Sequence, residues 1–192
     1  NSHALALPDA LPISAPIGSV SPANSLIGTT AGDQVGAAGV TALSNGNYVV
    51  GSLVWDNGCV VDAGAVTWAN GSAGLRGAVS PSNSLIGTTD AELVGTNGVT
   101  ATGDGNYVFL SPFWDSGAAA NAGAITLALG ESSTIGTIGA ADSVLGTVAD
   151  QGSSMVFGYD VTRDQLVVGR PASNLISLFT LPPSFVFING FE

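Results

Sequence analysis

The sequence predicts an all-β fold of blade-like, four-stranded antiparallel repeats of 59 residues: two full copies, one degenerate copy and an extended N-terminal arm. Three observations predict it. The heptapeptide Asn24-Ser25-Leu26-Ile27-Gly28-Thr29-Thr30 returns letter for letter as Asn83-Ser84-Leu85-Ile86-Gly87-Thr88-Thr89, 59 residues on. Short apolar runs are separated by turn chemistry, with Asn45-Gly46 the clearest hairpin signal. The composition, 27 glycines with many Thr, Val, Ala, Ser and Asn, few Glu or Gln and no lysine, is a poor helix-forming mixture, so sheets and turns must carry the fold.

The repeat extends on both sides of the heptapeptide. Gly18-Ser19-Val20-Ser21-Pro22 corresponds to Gly77-Ala78-Val79-Ser80-Pro81, and Asn45-Gly46-Asn47-Tyr48-Val49-Val50 to Asp104-Gly105-Asn106-Tyr107-Val108-Phe109. Trp55-Asp56 corresponds to Trp114-Asp115, and Ala63-Gly64-Ala65-Val66-Thr67 to Ala122-Gly123-Ala124-Ile125-Thr126. A worn third copy follows at the same step, with Asp142-Ser143-Val144-Leu145-Gly146-Thr147 and Arg163-Asp164-Gln165-Leu166-Val167-Val168, and it is shortened after Asn174. In the first copy the apolar runs are residues 25–29, 39–43, 48–55 and 64–68. Four strands in about 60 residues is the size of one propeller blade or one small sheet layer, a unit that must stack on neighbours to bury its faces. The expected organisation is an arm at 1–17, repeats at 18–76 and 77–135, a degenerate repeat at 136–181 and a C-terminal strand at 182–192.

Val35-Gly36, Asn45-Gly46-Asn47-Tyr48-Val49-Val50-Gly51 and Gly64-Ala65-Val66, with Phe157-Gly158 and residues 164–171, resemble the FG-GAP blade of integrin α-subunits and related bacterial propellers. The Val-Gly, Gly-Val-Thr-Ala-Leu, Asn-Gly-Asn-Tyr-Val and Trp-Asp-Asn-Gly elements more closely resemble a tandem repeat of long bacterial haemagglutinin-like surface proteins. That resemblance implies secretion and surface display and brings no known chemistry. FG-GAP blades often carry an Asp-x-Asp-x-Asp-Gly calcium loop; residues 43–47 and 102–106 have too few carboxylates for one, which argues against a metal there.

The two ends differ from the repeats. Leu5, Leu7, Leu11, Ile13 and Ile17 all fall on odd positions, and Pro8, Pro12 and Pro16 exclude a helix, which gives an extended arm with one apolar face. Each of those side chains gains about 1.5–3 kcal/mol on full burial. The arm is therefore expected either to lie on its own domain or to complete a sheet in the next subunit. Phe185, Val186, Phe187 and Ile188 are apolar on both faces, which predicts a strand buried between layers or at an interface, with Phe185, Phe187 and Ile188 as its contacts.

Composition limits the function. Three arginines against 14 carboxylates give a net charge of -11, which repels phosphate backbones and excludes nucleic acid as a partner. Hydrophobic content of 45% with mean hydropathy +0.43 predicts a folded chain. No apolar run approaches the roughly 18 residues that a spanning helix needs. The lack of a leader fits a mature secreted chain cleaved before Asn1, so an extracellular or cell-surface location is expected. Cys59, the single cysteine, cannot form an internal disulfide; a buried apolar role is expected, with pairing to another chain as the alternative.

Catalytic residue types are scarce. His3 is the single histidine, so one chain cannot assemble a His-based triad or a multi-histidine metal site, and the absence of lysine removes Ser-Lys chemistry. No carboxylate pair stands out for glycoside hydrolysis. No enzymatic activity and no cofactor are expected. Trp55-Asp56 and Trp114-Asp115 are candidate glycan contacts, an indole stacking on a sugar while a carboxylate accepts its hydroxyls; the competing reading is a structural corner with Asp capping the turn. Asp33, Asp90 and Glu92 read as solvated loop carboxylates rather than a cation site, and Asn70-Gly71-Ser72 fits the N-glycosylation pattern. Fewer than three full repeats cannot close a propeller alone. The function expected is a structural subunit of an extracellular bacterial filament or surface assembly, polymerising with itself by strand or arm exchange; the alternative is a surface adhesin or carbohydrate-binding module.

Overall fold

The computed structural model describes residues 19–163 and 165–180. Leu5, Leu7, Leu11, Ile13 and Ile17 of the arm, His3, and Phe185, Phe187 and Ile188 of the C-terminal segment lie outside the described residues. The described residues form fourteen strands in chain order: β1 (Leu26–Ile27), β2 (Val40–Ala42), β3 (Tyr48–Ser52), β4 (Ala65–Ala69), β5 (Gly77–Ala78), β6 (Ser84–Ile86) and β7 (Val99–Ala101), then β8 (Tyr107–Ser111), β9 (Ala124–Ala128), β10 (Gly136–Thr137), β11 (Ser143–Leu145), β12 (Val156–Asp160), β13 (Gln165–Arg170) and β14 (Leu175–Thr180). Helical structure among the described residues is limited to single 3-10 turns at Gly152–Ser154 and Pro171–Ser173. The protein is an all-β repeat protein.

The strands form three stacked layers. In layer 1, β2, β3 and β4 meander antiparallel; the β2–β3 hairpin closes at Asn45-Gly46, where Gly46 takes φ +86° and Leu43 N–H donates to the Asn47 carbonyl at 2.8 Å. The fourth strand is β6, which pairs antiparallel with β4 and comes from the following sequence copy. Layer 2 repeats the plan with β7, β8, β9 and β11. Layer 3 holds β12, β13 and β14. The period of 59 is thus kept, while layers 1 and 2 each straddle two sequence copies. Two short parallel pairs, β1 with β5 and β6 with β10, tie the fourth-strand position to the connection that follows it.

Each layer has a forward face, toward the next layer, and a rear face. The forward residues Val49, Val66 and Leu85 of layer 1 pack on Tyr107, Phe109, Ala124 and Ala128 from the rear of layer 2, with Trp68 beside them. Val108, Leu110, Ile125 and Leu127 on the forward face of layer 2 pack on Leu166 and Val168 of layer 3, with Phe157, Tyr159 and Phe179 alongside. Successive residues of β8 and β9 point to opposite faces and all ten are buried, because this layer is covered on both sides. Within a layer, the hairpin turn and the chain leaving the third strand approach so closely that a side chain is impossible there. A Cβ on Gly71 would sit 1.7 Å from the Gly46 carbonyl oxygen, and one on its period-mate Gly130 would sit 1.6 Å from that of Gly105.

Candidate functional site

Most polar side chains outside the core brace turns. Asp33, 3% exposed, accepts the backbone N–H groups of Thr29 at 2.7 Å, Thr30 at 2.9 Å and Asp56 at 3.1 Å. Glu92, 1% exposed and one period later, accepts those of Thr88, Thr89 and Asp115. Gln151 holds the same place in the third copy, where its Oε1 accepts the Ser173 hydroxyl at 2.9 Å. Asp33 and Glu92 are therefore buried knots, which corrects their reading as solvated loop carboxylates: donated backbone hydrogen bonds replace the water a buried carboxylate loses. Asp90 instead accepts Val61 N–H at an exposed turn.

The Trp-Asp corners are built the same way. Asp56 Oδ1 accepts Asp62 N–H and Asp115 Oδ1 accepts Asn121 N–H, both at 2.8 Å, so each carboxylate spans its own turn. Trp55 is 3% exposed in a cluster with Ala65, Val79 and Ile86, which leaves no ring face for a sugar; Trp114 is half-buried against the core between layers 1 and 2. Asp115 Oδ2 also accepts the Thr89 hydroxyl at 3.2 Å. Asn70 is exposed, and its Oδ1 accepts from Ser72 N, Ser72 Oγ and Ala73 N, an Asx turn. Cys59 is exposed, contrary to the expected burial, because it sits with Gly58, also exposed, at the tip of the turn closed by the Asn57–Val60 bridge.

In the loop at 102–106, burial raises the Asp104 pKa, but hydrogen bonds from Thr102, Tyr159 and Asn106 outweigh it and hold the carboxyl at about 2. Asp104 thereby links layer 2 to layer 3, with the Tyr159 hydroxyl donating at 2.7 Å. No group of three or more His, Cys, Asp or Glu side chains that could hold a metal occurs among the described residues. Burial, with the Asp142 charge nearby, raises the phenol pKa of Tyr107, whose ring stacks on Phe109 at 6.4 Å.

Open strand edges and apolar side chains mark the two ends of the stack. The forward face of layer 3 exposes Val156 (59%), Ile176 (76%) and Leu178 (66%), around a concavity of about 410 Å³ lined by Val156, Gly169, Arg170, Leu175 and Ile176 among others. Among the described residues, β14 pairs only with β13, and no described strand meets its other edge. At the opposite end β1 pairs only with β5 among the described strands, and a second concavity of about 350 Å³ lies among Asn24, Tyr48, Leu75 and Arg76.

A family model for a repeat of unknown function, DUF5650, matches residues 13–37, 42–96 and 101–154. The chain belongs to the DUF5650 repeat family. No curated protein and no solved structure matches it. Each DUF5650 segment closes a few residues after a knot residue, Asp33, Glu92 or Gln151, and the first takes in Ile13 and Ile17. No described helix of this DUF5650 protein is long and apolar enough to cross a membrane. The open face of β14 escaped the sequence reading, although its signal was present: Leu175-Ile176-Ser177-Leu178-Phe179 is apolar on both faces, like the strands of a layer covered on both sides.

Proposed function

We propose that this DUF5650 chain is a structural subunit of an extracellular bacterial assembly, a scaffold that associates with its own kind. One observation carries the reading. The third layer presents an apolar face, Val156, Ile176 and Leu178, of the type that layers 1 and 2 bury against a neighbour. The carboxylates offer little to a substrate, since Asp33, Glu92, Asp56 and Asp115 each accept backbone N–H groups. The resemblance to haemagglutinin-like surface proteins supports display outside the cell. Sedimentation and negative-stain microscopy of the purified chain test the reading: fibres or rings are expected, and a monomer at high concentration overturns it.

A second reading, a glycan-binding adhesin, rests on Trp114, half-buried beside Asp115. Saturable binding on a glycan array, abolished by Trp114→Ala, would favour it over the scaffold.

A further inference from the structure

Within this chain, one strand type always completes the preceding layer. β6 pairs with β4 through Ala65 opposite Ile86, Val66 opposite Leu85 and Thr67 opposite Ser84. β11 pairs with β9 through Ala124 opposite Leu145, Ile125 opposite Val144 and Thr126 opposite Ser143. Each junction buries a hydroxyl pair, Thr67 with Ser84 at 2.7 Å and Thr126 with Ser143 at 2.8 Å. β1 has the sequence of β6, Ser25-Leu26-Ile27, but no described strand stands in the place of β4 beside it. β14 stands in layer 3 where β4 and β9 stand in layers 1 and 2, with Leu175, Ile176 and Ser177 opposite Arg170, Gly169 and Val168, and no described strand takes its fourth position. A donor strand and an acceptor edge of matching type lie at opposite ends of one stack.

We propose that β1 of a second copy of this chain adds antiparallel to the free edge of β14, with Leu175 opposite Ile27, Ile176 opposite Leu26 and Ser177 opposite Ser25 of the second copy. This rests on the scaffold reading above and gives it an interface. Layer 3 of one copy then becomes the missing layer behind the rear face of layer 1 of the next. The side chains that await cover there are period-mates of residues already covered: Val40 is 66% exposed where Val99 is half-buried, and Tyr48 is half-buried where Tyr107 is 0% exposed. Val167, Ile176 and Leu178 supply the apolar face that Val49 and Val66 supply inside the chain. Ser177 and Ser25 renew the buried hydroxyl pair. The contact is head-to-tail, so it propagates into a fibre or closes into a ring according to the rotation between copies.

The test mixes full-length Ser25→Cys and Ser177→Cys chains, both in a Cys59→Ser background, and oxidises them. A disulfide-linked dimer in the mixture, absent from either variant alone, is expected. Polymers without that cross-link would overturn the proposed register while leaving self-assembly standing. A monomer at high concentration without the cross-link would overturn both, and would leave the edge of β14 to residues 181–192 of its own chain. Ile176→Glu changes a side chain that is 76% exposed and so spares the fold. It should raise the concentration needed for assembly about tenfold or more, and unchanged sedimentation would overturn the interface.

Discussion

The heptapeptide at 24–30 and its identical copy at 83–89 fold alike locally and are treated differently by the rest of the molecule. Asn24 Oδ1 accepts Ser21 N–H at 2.9 Å and Asn83 Oδ1 accepts Ser80 N–H at 2.8 Å, so the same turn forms before the same strand. Leu85 and Ile86 are 0% and 3% exposed, whereas Leu26 and Ile27 are only half-buried. One sequence gives one turn and one strand, and burial comes from the neighbour. β6 has β4 on one edge and β10 on the other; among the described strands β1 has β5 alone.

The largest expected effect uses that contrast directly. Leu85→Ala should cost about 2–5 kcal/mol in urea unfolding, because the cavity forms in a core that cannot collapse. Leu26→Ala, starting from a half-exposed side chain, should cost less than half as much in the dilute monomer. Equal costs would mean that β1 is already covered. At concentrations where chains associate, the Leu26→Ala penalty should grow.

The knots provide the next contrast. Asp33 and Glu92 each accept three backbone N–H groups, so Asp33→Ala and Glu92→Ala should each cost about 1–3 kcal/mol of stability. Similar values would show that the knot is a local device independent of its layer; a much smaller value for Asp33 would show that the first copy frays.

A smaller effect should appear in acid. The Asp104 carboxyl is held at about 2 against an ordinary 3.8, so its contribution to stability is present above about pH 4 and is lost as pH falls through 2. Asp104→Asn should flatten that part of the acid limb of a melting-temperature profile. Asn45, its period-mate, is not titratable, so Asn45→Ala should leave the limb unchanged. The smallest effect is expected from chelation. EDTA should move the melting temperature by no more than the scatter between scans, and a large downward shift would reveal a cation at the 43–47 or 102–106 loop.

Much of the layer plan was legible in the sequence. Asn45-Gly46 marked the β2–β3 hairpin because a glycine that can take positive φ is needed there, the run at 48–55 contains β3, and the run at 64–68 covers all of β4 but Ala69. The burial of Asp33 and Glu92 was not legible, since nothing in a lone carboxylate tells that three N–H groups converge on it. Cys59 was misjudged for a related reason: an apolar side chain at a two-residue turn tip goes where the turn points. The short parallel partners β5 and β10 gave no signal, as a two-residue strand has no periodicity.

The sequence by itself determined the period, the strand-forming segments and the turns between them, because each depends on side chains within a few residues of one another. Tertiary structure alone decided which copy each strand serves. β6 belongs by sequence to the second copy and by hydrogen bonding to the first layer, and β1, with the same residues, meets only β5 among the described strands. Backbone N–H and C=O groups pair with any strand that reaches them in register. The choice of partner is made by the layers that hold the strand in place, and it leaves no mark in the strand's own residues.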